Sequence, residues 1–179
     1  DLSDDQWVDE VSLWIDSRHM AGNDGGFADS LGMDLLNYIP GEYNSHVIKN
    51  EPCPGCLDYA ERESLAVNEF DSGRSLIVSF GTVANCYRLN DWLDVRNGFT
   101  VSKLDDNKVF PFLLAISCEQ GAFDETESPN SGRPICERLL FDDSRGPIGI
   151  YAPTRGSWQT GNHLMGKLVL EYLYEKGAQ

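Results

Sequence analysis

Cys118 is the residue of this sequence whose position best suits a nucleophile. It follows a run of five apolar residues, Phe112 to Ile116, and one serine, so it stands at the end of a predicted buried strand. Parallel α/β sheets carry their functional groups just past the carboxyl ends of the strands. The nearby Gly121 would let the backbone approach a bound substrate. A free cysteine is also a common small hydrophobe in protein cores, and the sequence leaves both interpretations open.

A thiol nucleophile needs a base, because an unactivated cysteine is only a few per cent ionised at neutral pH. The sequence contains three histidines. His19 follows the first predicted strand and His163 lies early in the last predicted helix, so both are expected at the same edge of the sheet as Cys118. His46 opens the second predicted strand and is expected at the opposite edge. His163 is therefore a candidate substitute base, and a surface role is the alternative.

Cys53 and Cys56 form the pattern "CPGC" directly before a predicted helix. Such a pair at a helix N-terminus can be redox-active, but a structural disulfide explains it equally simply. A zinc site needs four ligands, and no second pair is evident. The chain has five cysteines, so at least one thiol stays unpaired unless it bonds to another chain. That count suits an exported protein with a working thiol, and also a cytosolic protein without disulfides.

The sequence predicts no cofactor. The glycine-containing segment 16–26, "DSRHMAGNDGG", fits neither dinucleotide-binding nor P-loop spacing, and its acidic residues would repel phosphate. Calcium is the open alternative, because carboxylates are its usual ligands. The candidate ligands are Asp16, Asp24, Asp124, Glu125 and Glu127. Solvated acidic side chains explain the same residues.

Strands and helices alternate along the chain. Apolar runs predict strands over 11–15, 46–49, 75–81, 112–118 and 147–152. Helical spacing predicts helices over 27–39, 57–70, 137–142 and 158–177, with a loop at 22–26 and a short helix around 90–95. This order predicts an α/β fold with a mostly parallel sheet and helices on both faces. We expect one domain over residues 1–179, with no internal repeat.

The composition excludes several classes of binding partner. The formal net charge is −15 and the isoelectric point is about 4.4, so nucleic acid and anionic membrane surfaces would be repelled. No apolar run approaches the ~20 residues of a membrane span. The chain begins at Asp1 and not at Met, so we expect a mature or excised piece of a longer protein, for which a missing signal peptide does not exclude export.

Several short motifs stand in a fixed order around Cys118. "WVDEVSLWID" opens the chain at residue 7, "FDSGRSLIVSFGTVAN" follows at 70–85, and "FPFLLAISCEQGAFDE" carries Cys118. The ordered residues are Asn107, Pro111, Ser117, Cys118, Gly121, Phe123, Asp124, Glu137, Arg138, Leu139, Leu140 and Gly146. Over roughly residues 7–177 this order resembles the gingipain family of cysteine peptidases, in the caspase-like group. The resemblance implies a caspase-like three-layer sandwich and peptide-bond hydrolysis by a Cys–His dyad acting on peptide or protein substrates.

The dyad histidine of that family is replaced here. Where the family has Gly-His-Gly, this chain reads Gly81-Thr82-Val83, and a threonine hydroxyl cannot take a proton from a thiol near neutral pH. By the same resemblance, the main-chain N–H groups of Cys118 and Val83 would form the oxyanion hole. Because these donors belong to the main chain, the hole could survive the loss of the histidine.

The resemblance also suggests residues that contact a substrate. Trp158 and Arg155 follow the fifth strand, where the family builds the wall that receives the substrate side chain. Trp158 is expected either to stack on a ligand or to pack at the helix start. Arg155 would favour an acidic side chain, whereas Glu119 or Asp124 would favour a basic one, and the sequence does not choose between them.

Three functions remain open from the sequence. The first is a cysteine endopeptidase that uses Cys118, with a substitute base or weakened activity. The second is a silent pseudo-peptidase used for binding, secretion or assembly in an exported multidomain protein. The third is a thiol-redox protein built on Cys53 and Cys56. Family likeness alone predicts a bacterial, secreted, periplasmic or cell-surface location.

Overall fold

A computed structural model gives the structure of the chain. It describes residues 9–17, 24–50, 57–81, 86–105, 110–123, 133–141 and 145–176. Several residues singled out above lie outside these ranges, namely His19, Cys53, Cys56, Thr82, Val83, Asn107, Asp124, Glu125 and Glu127.

A parallel sheet of five strands forms the centre of the fold. Its strands are β1 (Glu10–Asp16), β2 (Asn44–Asn50), β3 (Leu76–Gly81), β6 (Phe112–Ile116) and β7 (Gly149–Tyr151), in the spatial order β2-β1-β3-β6-β7. All five predicted strands are confirmed, with ends shifted by one or two residues. A separate antiparallel hairpin pairs β4 (Arg88–Leu89) with β5 (Leu93–Asp94).

Helices cover both faces of this sheet. They are α1 (Asp24–Asp34), α2 (Tyr59–Asp71), α3 (Ile135–Phe141) and α4 (Gln159–Glu171). Alternate strand residues divide the core in two, because successive side chains of a strand point to opposite faces. Leu13 and Phe80 pack in one layer with Leu170 of α4, whereas Trp14 and Ile77 pack in the other layer with residues of α2 and α3. The predicted three-layer α/β, caspase-like fold is confirmed.

Helix α2 shows how local sequence sets an element boundary. Asp58 accepts a hydrogen bond from the Glu61 N–H at 2.9 Å, and the Glu61 carboxylate accepts one from the Asp58 N–H at 2.8 Å. This reciprocal capping satisfies two N–H groups that have no partner inside the helix. The helix therefore begins at Tyr59, two residues later than predicted.

The sequence prediction was wrong in two places. Segment 22–26 was predicted as a loop, but α1 already begins at Asp24, since a glycine costs a helix only about 1 kcal/mol and the later part of the helix packs on β1. Residues 90–95 were predicted as a short helix, but residues 90–92 form the β4–β5 turn, Leu93 and Asp94 form β5, and Val95 begins a 3-10 helical turn (Val95–Asn97). Asn90 adopts a left-handed conformation with φ of 49°, which ends a helix and suits a tight turn.

Helix α4 continues directly into a π-helical segment, Tyr172–Lys176. None of the helices in the described ranges combines the length and the apolarity of a membrane span.

Candidate active site

Cys118 lies at the C-terminal edge of the sheet, two residues beyond β6. Its side chain is partly exposed. The thiol donates a hydrogen bond to the main-chain oxygen of Ser157 at 3.0 Å. The N–H and the hydroxyl of the same serine lie 3.4 and 3.7 Å from Sγ. One residue of the loop after β7 therefore supplies every polar contact of this thiol within the described chain.

The loops that follow β6 and β7 are hydrogen-bonded to each other. The Glu119 N–H donates to the Arg155 carbonyl at 3.3 Å, and the Gly121 N–H donates to the Pro153 carbonyl at 2.9 Å. A Cβ atom at Gly121 would lie 2.9 Å from the main-chain oxygen of Ala152. The glycine thus allows close contact with the chain itself, and its part in the approach of a substrate stays a prediction.

Glu119 places a carboxylate on this rim. Its backbone has φ of 57°, a conformation that costs an ordinary residue about 1 kcal/mol or more. The side chain turns toward Gly156, where an added Cβ atom would lie 3.8 Å from Oε1. The Glu119 carboxylate therefore lies beside the residue that precedes Ser157 in the loop after β7.

The other predicted substrate contacts differ in their surroundings. Trp158 exposes 86% of its surface, so its ring does not pack at the start of α4 and is free to stack on a ligand. The Arg155 guanidinium is exposed and donates to the neighbouring Thr154 carbonyl at 2.7 Å. The structure brings Glu119, Arg155 and Trp158 to the same rim as Cys118.

Both described histidines contact carboxylates. The His163 Nε2 lies 3.0 Å from Oδ2 of Asp34, at the end of α1. The His46 Nδ1 lies 2.7 Å from Oε1 of Glu69, and His46 pairs with Ser12 near the start of β1, at the edge opposite Cys118 as predicted. Neither histidine makes a hydrogen bond to Cys118 in the described structure.

The end of β3 is fixed by a residue that the sequence did not single out. Asn90 is fully buried and donates from Nδ2 to the Ser79 hydroxyl at 2.7 Å. Its side chain presses on Gly81, where an added Cβ atom would lie 2.3 Å from Oδ1. Since Phe80 pairs with Ile116, this contact sets where the main chain leaves β3, one strand away from Cys118.

Asp16 anchors the same hairpin and was suggested above as a calcium ligand. It is fully buried at the end of β1. Oδ1 accepts from the Asn50 amide and Oδ2 accepts from the Asp91 N–H, each at 2.9 Å. Both oxygens are therefore engaged by the protein. Across the described ranges, no group of three or more His, Cys, Asp or Glu is placed to hold a metal ion.

The arrangement of a thiol at the C-terminal edge of a five-stranded parallel sheet agrees with a comparison against protein families. The model of Peptidase family C25 matches residues 9–179. The chain belongs to Peptidase family C25. The gingipain resemblance drawn from the motifs is thereby confirmed, and the family's function is that of a cysteine peptidase. No curated protein and no solved structure matches the chain.

In this C25 domain, sequence reasoning missed the residues that hold the rim together. Ser157, Asn90 and Asp16 act through contacts with residues far away in the chain. The Cys118–Ser157 contact, for example, spans 39 positions. The available signals were indirect. Gly81 ends a buried strand and Asn90 sits in a polar run between apolar residues, which is the composition of a tight turn.

Proposed function

We propose that this C25 domain is a silenced peptidase, which keeps the fold and the rim of a cysteine peptidase but serves binding or assembly. Its ligand would be a peptide or protein segment, as in the peptidases of the family. The contact that carries the proposal is the hydrogen bond from the Cys118 thiol to the Ser157 carbonyl. A carbonyl oxygen accepts a hydrogen bond but cannot take up the proton, so this contact does not activate the nucleophile.

The positions of the described histidines support the same proposal. His163 contacts Asp34 and His46 contacts Glu69, and neither makes a hydrogen bond to Cys118 in the described ranges. By family resemblance, Thr82 occupies the place of the dyad histidine. A positioned general base contributes typically 10²- to 10⁴-fold to such a reaction. Without it, we expect hydrolysis to be slower by a factor of that order than in a complete dyad.

A second candidate is a cysteine endopeptidase in which Cys118 is activated without the dyad histidine. The observation that favours it is the position of two Ser157 groups near Sγ: the N–H lies 3.4 Å from it, and the hydroxyl, which also donates to the Ser117 carbonyl at 3.3 Å, lies 3.7 Å from it. The partial exposure of Cys118 also leaves the sulfur accessible to a substrate.

Turnover of a fluorogenic peptide library separates these functions. The natural chain, Cys118→Ala and Thr82→His would be compared, with a peptidyl fluoromethyl ketone to label activated thiols. We expect the natural chain to turn over the peptides no faster than Cys118→Ala does. Thr82→His should turn them over at least about 10²-fold faster than the natural chain. Turnover by the natural chain that Cys118→Ala abolishes would establish the endopeptidase instead. Rapid thiol–disulfide exchange confined to Cys53 and Cys56 would favour the redox function.

A further inference from the structure

Exposed apolar side chains collect around one edge of the sheet. Ile148 exposes 77% of its surface just before β7, and Phe141 exposes 71% at the end of α3. The other exposed members of this group are Leu140, Tyr151, Leu164, Met165 and Leu168. They belong to β7 and to α3 and α4, the two helices that flank it. Large apolar side chains exposed in a group mark an interaction site more often than scattered single residues do.

Strand β7 is the outermost strand on this side. It pairs with β6 from Phe112↔Gly149 to Leu114↔Tyr151. The described chain supplies no strand to its other side. A parallel sheet that ends in this way presents main-chain N–H and C=O groups, which can pair with an added strand.

Two cavities flank β7, one on each face of the sheet. A cavity of about 540 Å³ lies on the α3 side and is lined by Ile150, Ala152 and Phe141, among others. A cavity of about 290 Å³ lies on the α4 side and is lined by Tyr151, Pro153 and Met165, among others. The β7 residues thus alternate between the cavities along the chain.

This alternation decides the shape of the occupant. Successive side chains of an added strand also point to opposite faces, so they would enter the two cavities in turn. A helix would present its side chains to one face only and could not fill both cavities while pairing with the main chain of β7. The surface therefore fits an extended segment.

The opposite edge of the sheet lacks these features. The outermost strand there is β2, whose first residues Asn44, Ser45 and His46 are exposed and polar, and whose Lys49 pairs with Asp29 at 2.8 Å. Polar and charged residues of this kind discourage pairing with another chain. Gly149, Ile150 and Tyr151 of β7 include no charged residue. The two edges thus differ in the way expected if only β7 receives a partner.

Charge determines the class of partner. With a net charge of −15, a second copy of this chain or an acidic segment would be repelled. The one charged residue that lines either cavity within the described chain is Glu137, which contacts Arg133 at 3.5 Å. A neutral or basic segment meets no such repulsion.

We propose that β7 takes up an extended segment of a partner protein as an added strand of the sheet. The segment has consecutive apolar residues, whose side chains point in turn to the two cavities, and neutral or basic residues at its ends. The cavities reach the Cys118 rim, since Ser157 lines one and Gly121 lines the other, but Cys118 itself lines neither, so the proposal does not depend on whether Cys118 is catalytically active.

The probes are acetylated and amidated ten-residue peptides with a central run of consecutive Val, Leu or Phe residues, flanked by Thr and with Lys at both ends. Affinity is measured by fluorescence anisotropy and the binding site by hydrogen exchange. The Ile148 N–H donates to the Pro111 carbonyl on the β6 side, so the N–H groups of Gly149 and Tyr151 face away from β6. We expect at least one probe to bind and to slow exchange at these two residues. A matched peptide with Pro at every second position of the apolar run, which lacks those N–H donors, should not bind, and a probe with Glu at both ends should bind more weakly.

Substitutions test the two cavities separately. Phe141→Glu and Met165→Glu should each lower the affinity for the probe by about tenfold or more. Leu173→Glu is the matched control, because this exposed residue lines neither cavity. The affinity of this variant for the probe should equal that of the natural chain. Cys118→Ala should also bind normally, which distinguishes this site from the rim.

Four outcomes would overturn the proposal. The first is failure of every probe to bind, and the second is binding that survives both cavity substitutions. The third is slow exchange at Gly149 and Tyr151 in the monomeric protein without peptide, because the edge would then be covered by the chain itself. The fourth is a self-association, seen by sedimentation, that Phe141→Glu disrupts, because a second copy would then be the occupant.

Discussion

The thiol of Cys118 donates its hydrogen to the carbonyl oxygen of Ser157 at 3.0 Å, while the N–H of the same serine points back to the sulfur at 3.4 Å. A single residue thus offers an acceptor to the thiol and donors to the thiolate. Ser157 therefore makes every polar contact of the Cys118 side chain within the described chain, whatever the domain does with this thiol.

Replacing Ser157 by alanine tests its hydroxyl alone, because the main-chain contacts remain. The hydroxyl lies 3.7 Å from Sγ, so its loss should slow alkylation of Cys118 by iodoacetamide at pH 7.5 by about twofold to tenfold. The rate is measured by mass spectrometry of the labelled peptide. Ser64→Ala on the exposed face of α2 is the control. Equal rates in Ser157→Ala and the natural chain would show that the hydroxyl does not act on the sulfur.

His163→Gln should leave the alkylation rate of Cys118 unchanged, because the described contact of this imidazole is with Asp34. The substitution removes a partly exposed contact between the imidazole and a carboxylate, which joins α4 to the end of α1, and should lower the free energy of unfolding by about 1 kcal/mol or less. Asp34→Asn is the matched variant, and the double variant should cost no more than either alone. A tenfold slower alkylation in His163→Gln would instead assign this histidine a role at the thiol.

Gly81→Ala should destabilise the chain because the added methyl group would meet the buried Asn90 side chain, 2.3 Å from Oδ1. Overpacking of this kind costs about 1–3 kcal/mol in the free energy of unfolding, measured by urea denaturation. Asn90→Gly keeps the left-handed turn available and removes the colliding side chain. In that background, Gly81→Ala should cost much less. Additive effects of the two substitutions would contradict a direct contact.

Much of the fold could be predicted because burial leaves a local signal. The strand at Phe112–Ile116 is a continuous apolar run, and strands buried on both faces have this composition. The position of Cys118 at the sheet edge followed directly from the end of that run. The alternation of strands and helices then fixed the three layers.

The contacts at the rim could not be predicted because they join distant segments. Asp16 looked like a solvated or metal-binding acid, yet its carboxylate accepts from Asn50 and from the Asp91 N–H, 34 and 75 positions away. The helix predicted around Asn90 failed for the same reason, since packing of Leu89 and Trp92 in the core outweighs local helix propensity. Only the folded chain brings these groups together.

The buried thiol of Cys136 makes the free energy of unfolding depend on pH in the alkaline range. Burial raises the pKa of its thiol from the ordinary value of 9.0 to about 12. Between these values the unfolded chain has lost a proton that the folded chain retains, so the free energy of unfolding falls as the pH rises, by at most about 1.4 kcal/mol per pH unit. The stability contributed by the protonated thiol is fully present below about pH 9 and is lost as the pH rises to about 12.

The prediction is checked by urea denaturation from pH 7 to pH 11. Cys136→Ala should lose less stability over this range than the natural chain. Some loss should remain, since burial also raises the pKa of Tyr59 and Tyr174. Val101→Ala is the control, because this buried side chain does not titrate. The substitution should lower the free energy of unfolding by the same amount at every pH. A Cys136→Ala curve parallel to that of the natural chain would mean that the thiol ionises equally easily in the folded and unfolded chains.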